Sequence, residues 1–178
     1  MPVCCAKGVV VMVPAAQPGA PGEWVLLSYR IPREPSTPRI TIWRKLKRLG
    51  VAQISDGLVA LPADARTREH LDWIADEILD AGGAASIWIA HPGTAATERD
   101  LATAMAAARA AEYTKVTAEA TAAAGRDENA RLSLARRLRA ELRRIHRRDY
   151  FPPAERDQAN GAVDALTQPM PKPKEQPS

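Results

Sequence analysis

Between Trp24 and Pro62 the sequence switches between the two-residue period of strands and the 3.6-residue period of a helix, which restricts the fold more than any other stretch. Trp24 to Ile31 is β-friendly and apolar at nearly every position, the pattern of a central strand covered on at least one side. Pro32, Pro35 and Pro38 bar a helix until the chain has turned, and Ser36 or Thr37 is placed to cap the helix that follows. Ile42, Trp43, Leu46 and Leu49 share one arc of that helix, with Arg44, Lys45, Lys47 and Arg48 on the other side. Arg39 is the exception: it joins the apolar arc one turn before Trp43, within reach of stacking on the indole. Gly50 stops the helix. Val51 to Ser55 is a second strand, Asp56-Gly57 a strong hairpin signal, and Leu58 to Leu61 the returning strand, ended by Pro62.

Thr67 then caps a second amphipathic helix, whose core arc carries Leu71, Ile74, Ala75 and Ile78. Its outer face is acidic (Glu69, Asp72, Asp76, Glu77, Asp80) and also carries Trp73, an unusual place for a tryptophan. Gly82-Gly83 ends the helix, and Ala85 to Ala90 is a fourth strand. The order βαββαβ predicts an α+β, ferredoxin-like domain over 23–93: four antiparallel strands with both helices on one face. The opposite face then needs cover, from a partner subunit or from the rest of the chain.

No strand signal follows. A helix capped at Thr97, with Asp100 three residues on, runs through alanine-dense sequence to about Ala124, and Gly125-Arg126-Asp127 breaks it. A second long helix is predicted from about Glu128 to Arg148, a sharp corner at Tyr150-Phe151-Pro152-Pro153, and a short helix over 154–166. The predicted organisation is thus an unstructured extension over 1–22, the sheet domain, a helical region over 94–167 packed on it, and a proline- and lysine-rich tail over 168–178.

The chain is mildly basic, with formal charge +4 and pI near 9.3, which permits polyanion contact without requiring it. The basic charge concentrates in residues 131–148, which hold eight arginines against Glu141 as the one acid. Leu134, Leu138, Leu142 and Ile145 form the packing stripe of that helix. Its flanking arginines read either as phosphate contacts on nucleic acid or as partners for acidic neighbours such as the 69–80 helix. The segment Arg30 to Arg39 reads either as a seat for a small tetrahedral anion or as an ordinary strand-to-helix connection in which Arg33 pairs with Glu34. Adjacent Cys4 and Cys5 cannot make a disulfide framework and fit a reducing cytosol. His70, His91 and His146 lack metal-ligand spacing, so no metal and no cofactor is expected. Val9 to Val13 is far too short to span a membrane.

The motifs PREPS, WRKLKRLG, DGLVALP and RDYFPP, set in a matching framework over about 23–167, resemble the N-terminal domain of the chromate-resistance protein ChrB. The resemblance implies a core like the central domain of PaaX-type repressors, itself akin to a small CRISPR-adaptation nuclease fold. It implies a cytoplasmic, chromate-responsive regulator of an efflux operon, with chromate and promoter DNA as partners. Full-length members carry a further C-terminal domain, so the expectation here is a homo-oligomer, a separately encoded partner domain, or action alone. Those nucleases place a metal-binding aspartate near the end of the first strand, whereas here the strand ends Ser28-Tyr29-Arg30-Ile31, and no carboxylate follows until Glu34.

The reading that follows is a non-enzymatic regulatory or accessory protein with no catalytic residues. Arg33, Ser36, Arg39, Arg44 and Lys45 are the candidates for oxyanion contact, and Arg136, Arg139, Arg143 and Arg147 for phosphate contact. The alternative is a dimerising or partner-docking interaction module built on the arginine helix and Trp73. A redox role for Cys4 and Cys5 ranks last, because no cofactor motif is visible to supply electrons.

Overall fold

The computed structural model of the protein describes residues 22–168. The expected extension, with Cys4 and Cys5, and the expected tail lie outside these residues, apart from Gly22 and Gln168. The element order is β1 (Trp24–Arg30), α1 (Ser36–Leu49), β2 (Ala52–Ser55), β3 (Leu58–Pro62), α2 (Ala65–Asp80), β4 (Ala84–Ala90), α3 (Ala95–Ala122), α4 (Glu128–His146) and α5 (Glu155–Ala165). The chain is α+β, with one four-stranded antiparallel sheet in the order β2-β3-β1-β4.

β1 is central, as its two-faced apolar pattern predicts. Val25 and Leu27 sit opposite Leu61 and Val59 on β3, and all four are buried beneath α1 and α2. α1 buries Ile42 and Leu46 there, and α2 buries Leu71, Ile74, Ala75 and Ile78. Truncating a side chain such as Leu71 or Ile78, which admits no solvent, costs about 2–5 kcal/mol.

The helical half has its own core. The stripe Leu134, Leu138, Leu142 and Ile145 is buried against Tyr113, Val116 and Ala120 of α3 and Ala159 and Val163 of α5. It also covers one end of the sheet's second face. Trp24 stacks on Phe151 at 6.0 Å, Trp24 Nε1 donates to Glu98 at 3.4 Å, and the Tyr150 hydroxyl donates to the Leu49 carbonyl at 3.3 Å. The RDYFPP corner is therefore the clasp between the halves.

Three local expectations are corrected. The cap of α2 is Asp64, whose carboxylate accepts from the Thr67 amide while Thr67 Oγ1 accepts from the Asp64 amide; Thr67 is the inner partner of a reciprocal box. Likewise Thr94, not Thr97, caps α3. Neither Ser36 nor Thr37 caps α1, because Pro35 occupies that position with no side-chain hydrogen bond.

Candidate functional site

At the end of the sheet opposite the clasp, four separate segments enclose a groove of about 1030 Å³. The end of β1 is held between two glycine-bearing turns. Gly57, in the β2–β3 hairpin at φ 74°, lies so close to β1 that a Cβ there would stand 2.4 Å from the Tyr29 carbonyl oxygen. Gly83, in the α2–β4 connection, presses the same way on the Arg30 carbonyl, where a Cβ would come within 2.5 Å. The Tyr29 amide donates to the Gly57 carbonyl at 2.7 Å. These close approaches leave the last residue of β1, Arg30, at the groove wall beside Arg33.

The opposite wall comes from α1, through Arg39 and Trp43. Arg39 Nη2 donates to the Pro32 carbonyl at 3.1 Å, which ties the first turn of the helix to the strand exit. The expected stack of Arg39 on Trp43 is replaced by Lys47, whose Nζ stands 5.6 Å from the indole centroid. Trp43 is also not part of the core arc: it is 53% exposed, because α1 packs on the core through Ile42 and Leu46, with Leu49 partly buried, and the position after Ile42 rotates away. Three arginines thus line one groove together with a single acid, Asp56. Burial, and secondarily the Asp56 charge, push the Tyr29 phenol pKa up.

Of the five residues predicted for oxyanion contact, the groove gathers Arg33 and Arg39. Ser36 is exposed at the start of α1 and does not line it. Arg44 lies exposed further along α1, and Lys45 faces α2, where it is ion-paired with Glu77. Arg30 lies inside the segment singled out in the sequence but was not among the five. Its signal is its place as the last strand residue, in register with Ala84 just after the double glycine.

The arginine helix sorts its charges. Arg137 pairs with Glu119, Arg144 with Glu141, and Arg148 with Glu112. Arg131 is buried and donates to the Gln168 carbonyl at 2.8 Å. The acidic partners therefore come largely from α3 and α5, and not from α2. Of the four residues predicted for phosphate contact, Arg139 is paired with Asp164 at 2.9 Å. Arg136, Arg143 and Arg147 are exposed and make no ion pair among the described residues. Offsets of seven and eleven residues place these three on one stripe of the helix.

Beneath the clasp lies a partly buried polar cluster. Arg109 and Arg148 share Glu112, and the Tyr113 hydroxyl donates to Asp149 at 2.8 Å. Burial depresses the Arg109 pKa against the opposing charge of Glu112. Among the described residues no group of three or more His, Cys, Asp or Glu side chains is placed to hold a metal ion, and no helix is long and apolar enough to cross a membrane.

Comparison with known proteins places the chain in a family. The chain is 28% identical over 166 residues to "Protein ChrB" of Cupriavidus metallidurans, an alignment covering 86% of this chain and 51% of that protein. The chain therefore spans about half the length of this curated relative. No solved structure matches it significantly. The family model described as "Protein ChrB, N-terminal" matches residues 39–175, which include α1 from Arg39 onward, the arginine helix and the RDYFPP clasp; the chain belongs to the family of ChrB N-terminal domains.

Proposed function

We propose that this chain is a non-enzymatic, cytoplasmic regulatory or accessory protein of chromate resistance, which senses a tetrahedral oxyanion in the groove and contacts DNA phosphates through α4. The observation that carries this reading is the convergence of Arg30, Arg33 and Arg39 on one open groove. Guanidinium groups supply charge and forked donors suited to tetrahedral oxyanions. Family membership supports the chromate assignment. The stripe of Arg136, Arg143 and Arg147 supports the DNA assignment, since cations without a protein partner are the ones free to displace counterions from phosphate.

The strand order β2-β3-β1-β4, with both crossover helices on one face, supports reading residues 23–93 as a ferredoxin-like domain. The two separate cores support a helical region over 94–167.

Calorimetric titration with chromate and with sulfate tests the sensing arm. Heat that disappears in an Arg30→Ala/Arg33→Ala/Arg39→Ala variant is expected, and absence of heat with either anion defeats it. Filter binding of the promoter upstream of the gene at two salt concentrations tests the DNA arm, which no retention at low salt would sink.

A second reading, an interaction module, is favoured by the β4 edge. That seven-residue edge strand carries no charge and no proline, and exposes Trp88 (60%) and Ile89, while Trp73 on α2 is 59% exposed. Sedimentation would separate the two: a concentration-independent monomer counts against the module.

A further inference from the structure

We infer that the occupant for which the groove is shaped is a nucleotide, a phosphorylated ligand with a planar aromatic body, and that chromate competes with its phosphate at the arginines. The inference rests on the oxyanion reading above and extends it.

Size is the first argument. Ligand pockets that enclose whole organic molecules run to about 300–1,000 Å³, and this groove, at about 1030 Å³ and open to solvent along one side, has room for such a molecule without enclosing it. A bare tetrahedral anion at the arginines leaves most of it unfilled.

Composition is the second. Beyond the arginines the groove is lined by Trp43, Tyr29 and Gln53. Trp43 is a half-exposed indole on a helix, and the Lys47 cation lies 5.6 Å from its centroid, so a base stacking on the ring either displaces Lys47 or takes the other face. An exposed tryptophan beside an arginine cluster is the pairing that binds a nucleobase and its phosphates together: the base stacks, and the guanidinium forks take the oxygens. Gln53 carries both a donor and an acceptor, matching the edge of a base. Asp56, the one acid, repels phosphate but accepts from a sugar hydroxyl or an exocyclic amine. It sits on the hairpin with Gly57, whereas Arg33 and Arg39 belong to the β1–α1 connection and α1. The groove thus offers cation and carboxylate from different walls, as a ligand with an anionic end and a neutral polar body requires. A phosphosugar satisfies the arginines but leaves the indole without a partner, and a neutral aromatic does the reverse.

The experiment is a calorimetric titration of the full chain with AMP, ADP, ATP, ribose 5-phosphate and a short single-stranded oligonucleotide. The expected result is that AMP binds about tenfold or more tightly than ribose 5-phosphate. Trp43→Ala, at a half-exposed position outside the buried core, erases that difference while leaving ribose 5-phosphate binding unchanged. Arg33→Ala weakens all the phosphorylated probes about tenfold. Chromate and sulfate displace AMP competitively. Tighter binding of the oligonucleotide than of any mononucleotide identifies the source as a strand, and the reverse order identifies a free nucleotide; both uphold the groove chemistry. Equal affinity for AMP and ribose 5-phosphate overturns the inference, as does a base preference that survives Trp43→Ala. Chromate binding with no nucleotide binding overturns it while leaving the oxyanion reading standing, and absence of both removes the two together.

Discussion

The Tyr113 hydroxyl donates to a carboxylate oxygen of Asp149 at 2.8 Å, and the Asp149 side chain is fully buried. This bond joins the middle of α3 to the second residue of the clasp. The Asp149 carboxylate has Arg156 at 3.9 Å, and its other oxygen has no hydrogen-bond partner among the described residues. Removing the donor leaves a buried anion short of partners, which costs more than the bond itself stabilises. Tyr113→Phe is therefore expected to lose about 1–3 kcal/mol in a urea titration, with the m-value unchanged.

At the other structural anchor, Asp64→Ala removes one half of the reciprocal cap on α2. The expected cost is about 1 kcal/mol, read as a shift in denaturation midpoint. The backbone hydrogen bond from Thr67 holds the Asp64 pKa below the usual carboxylate range, against a smaller opposing effect of burial. Because the folded value is the depressed one, its contribution is present above the unfolded pKa of about 3.9 and is lost as pH falls through the folded value. The variant is expected to show a weaker stability loss in that strongly acid window.

His146 produces a separate acid response at higher pH. Burial depresses its pKa first, and the Arg156 cation adds to this, while the Asp149 carboxylate opposes them. Its Nε2 has no hydrogen-bond partner among the described residues, and the ring lies 5.8 Å from that of Tyr113. The unfolded chain then binds the proton more readily than the folded one. Stability is full above the ordinary imidazole value of about 6.5 and falls as pH drops from there toward the folded pKa. His146→Phe keeps a packed ring without the titration, so its stability curve is expected to be flatter between about pH 6.5 and 5. An unchanged slope refutes the assignment.

Gly57→Ala is the sharpest test of how the groove is built. It places a Cβ at a positive φ and 2.4 Å from the Tyr29 carbonyl oxygen. A loss of about 1–3 kcal/mol is expected. Gly93→Ala, where an added Cβ meets nothing, serves as the control and is expected to be near neutral.

For the arginine helix, the sorting of charges predicts unequal effects. Replacing Arg136, Arg143 and Arg147 together is expected to reduce the slope of log affinity for duplex DNA against log salt by about 2.7, at about 0.9 per phosphate contact. Replacing Arg139, already engaged by Asp164, is expected to change it little. Equal slopes for the triple variant and the parent would exclude this stripe from the interface.

Much of this architecture was legible in the sequence because it depends on local period. The run from Trp24, the Asp56-Gly57 turn and the stripe Leu134, Leu138, Leu142 and Ile145 all lie where their spacing places them. The caps of α2 and α3 were displaced by three residues for a common reason. Each has two capping side chains one turn apart, Asp64 with Thr67 and Thr94 with Thr97, and only the backbone geometry tells the outer one from the inner. Trp43 was misjudged because an arc drawn on an isolated helix does not show where the sheet ends. The groove was half legible: Arg33 and Arg39 lie in one contiguous segment, but Gln53, Asp56 and the glycine turns reach it only through the pairing of β1 with its two neighbours.

α1 carries Arg39 near one end, and its last residue, Leu49, has its carbonyl held by Tyr150 at the other. Just beyond, Gly50 sits against the Arg109 and Arg148 side chains, with no room for a Cβ. Fourteen residues of α-helix make a strut about 21 Å long, stiff along its axis. Its two bearings are the groove and the clasp. A tilt imposed where Arg39 and Trp43 sit is therefore felt at the seat of the arginine helix, with no loop between to absorb it.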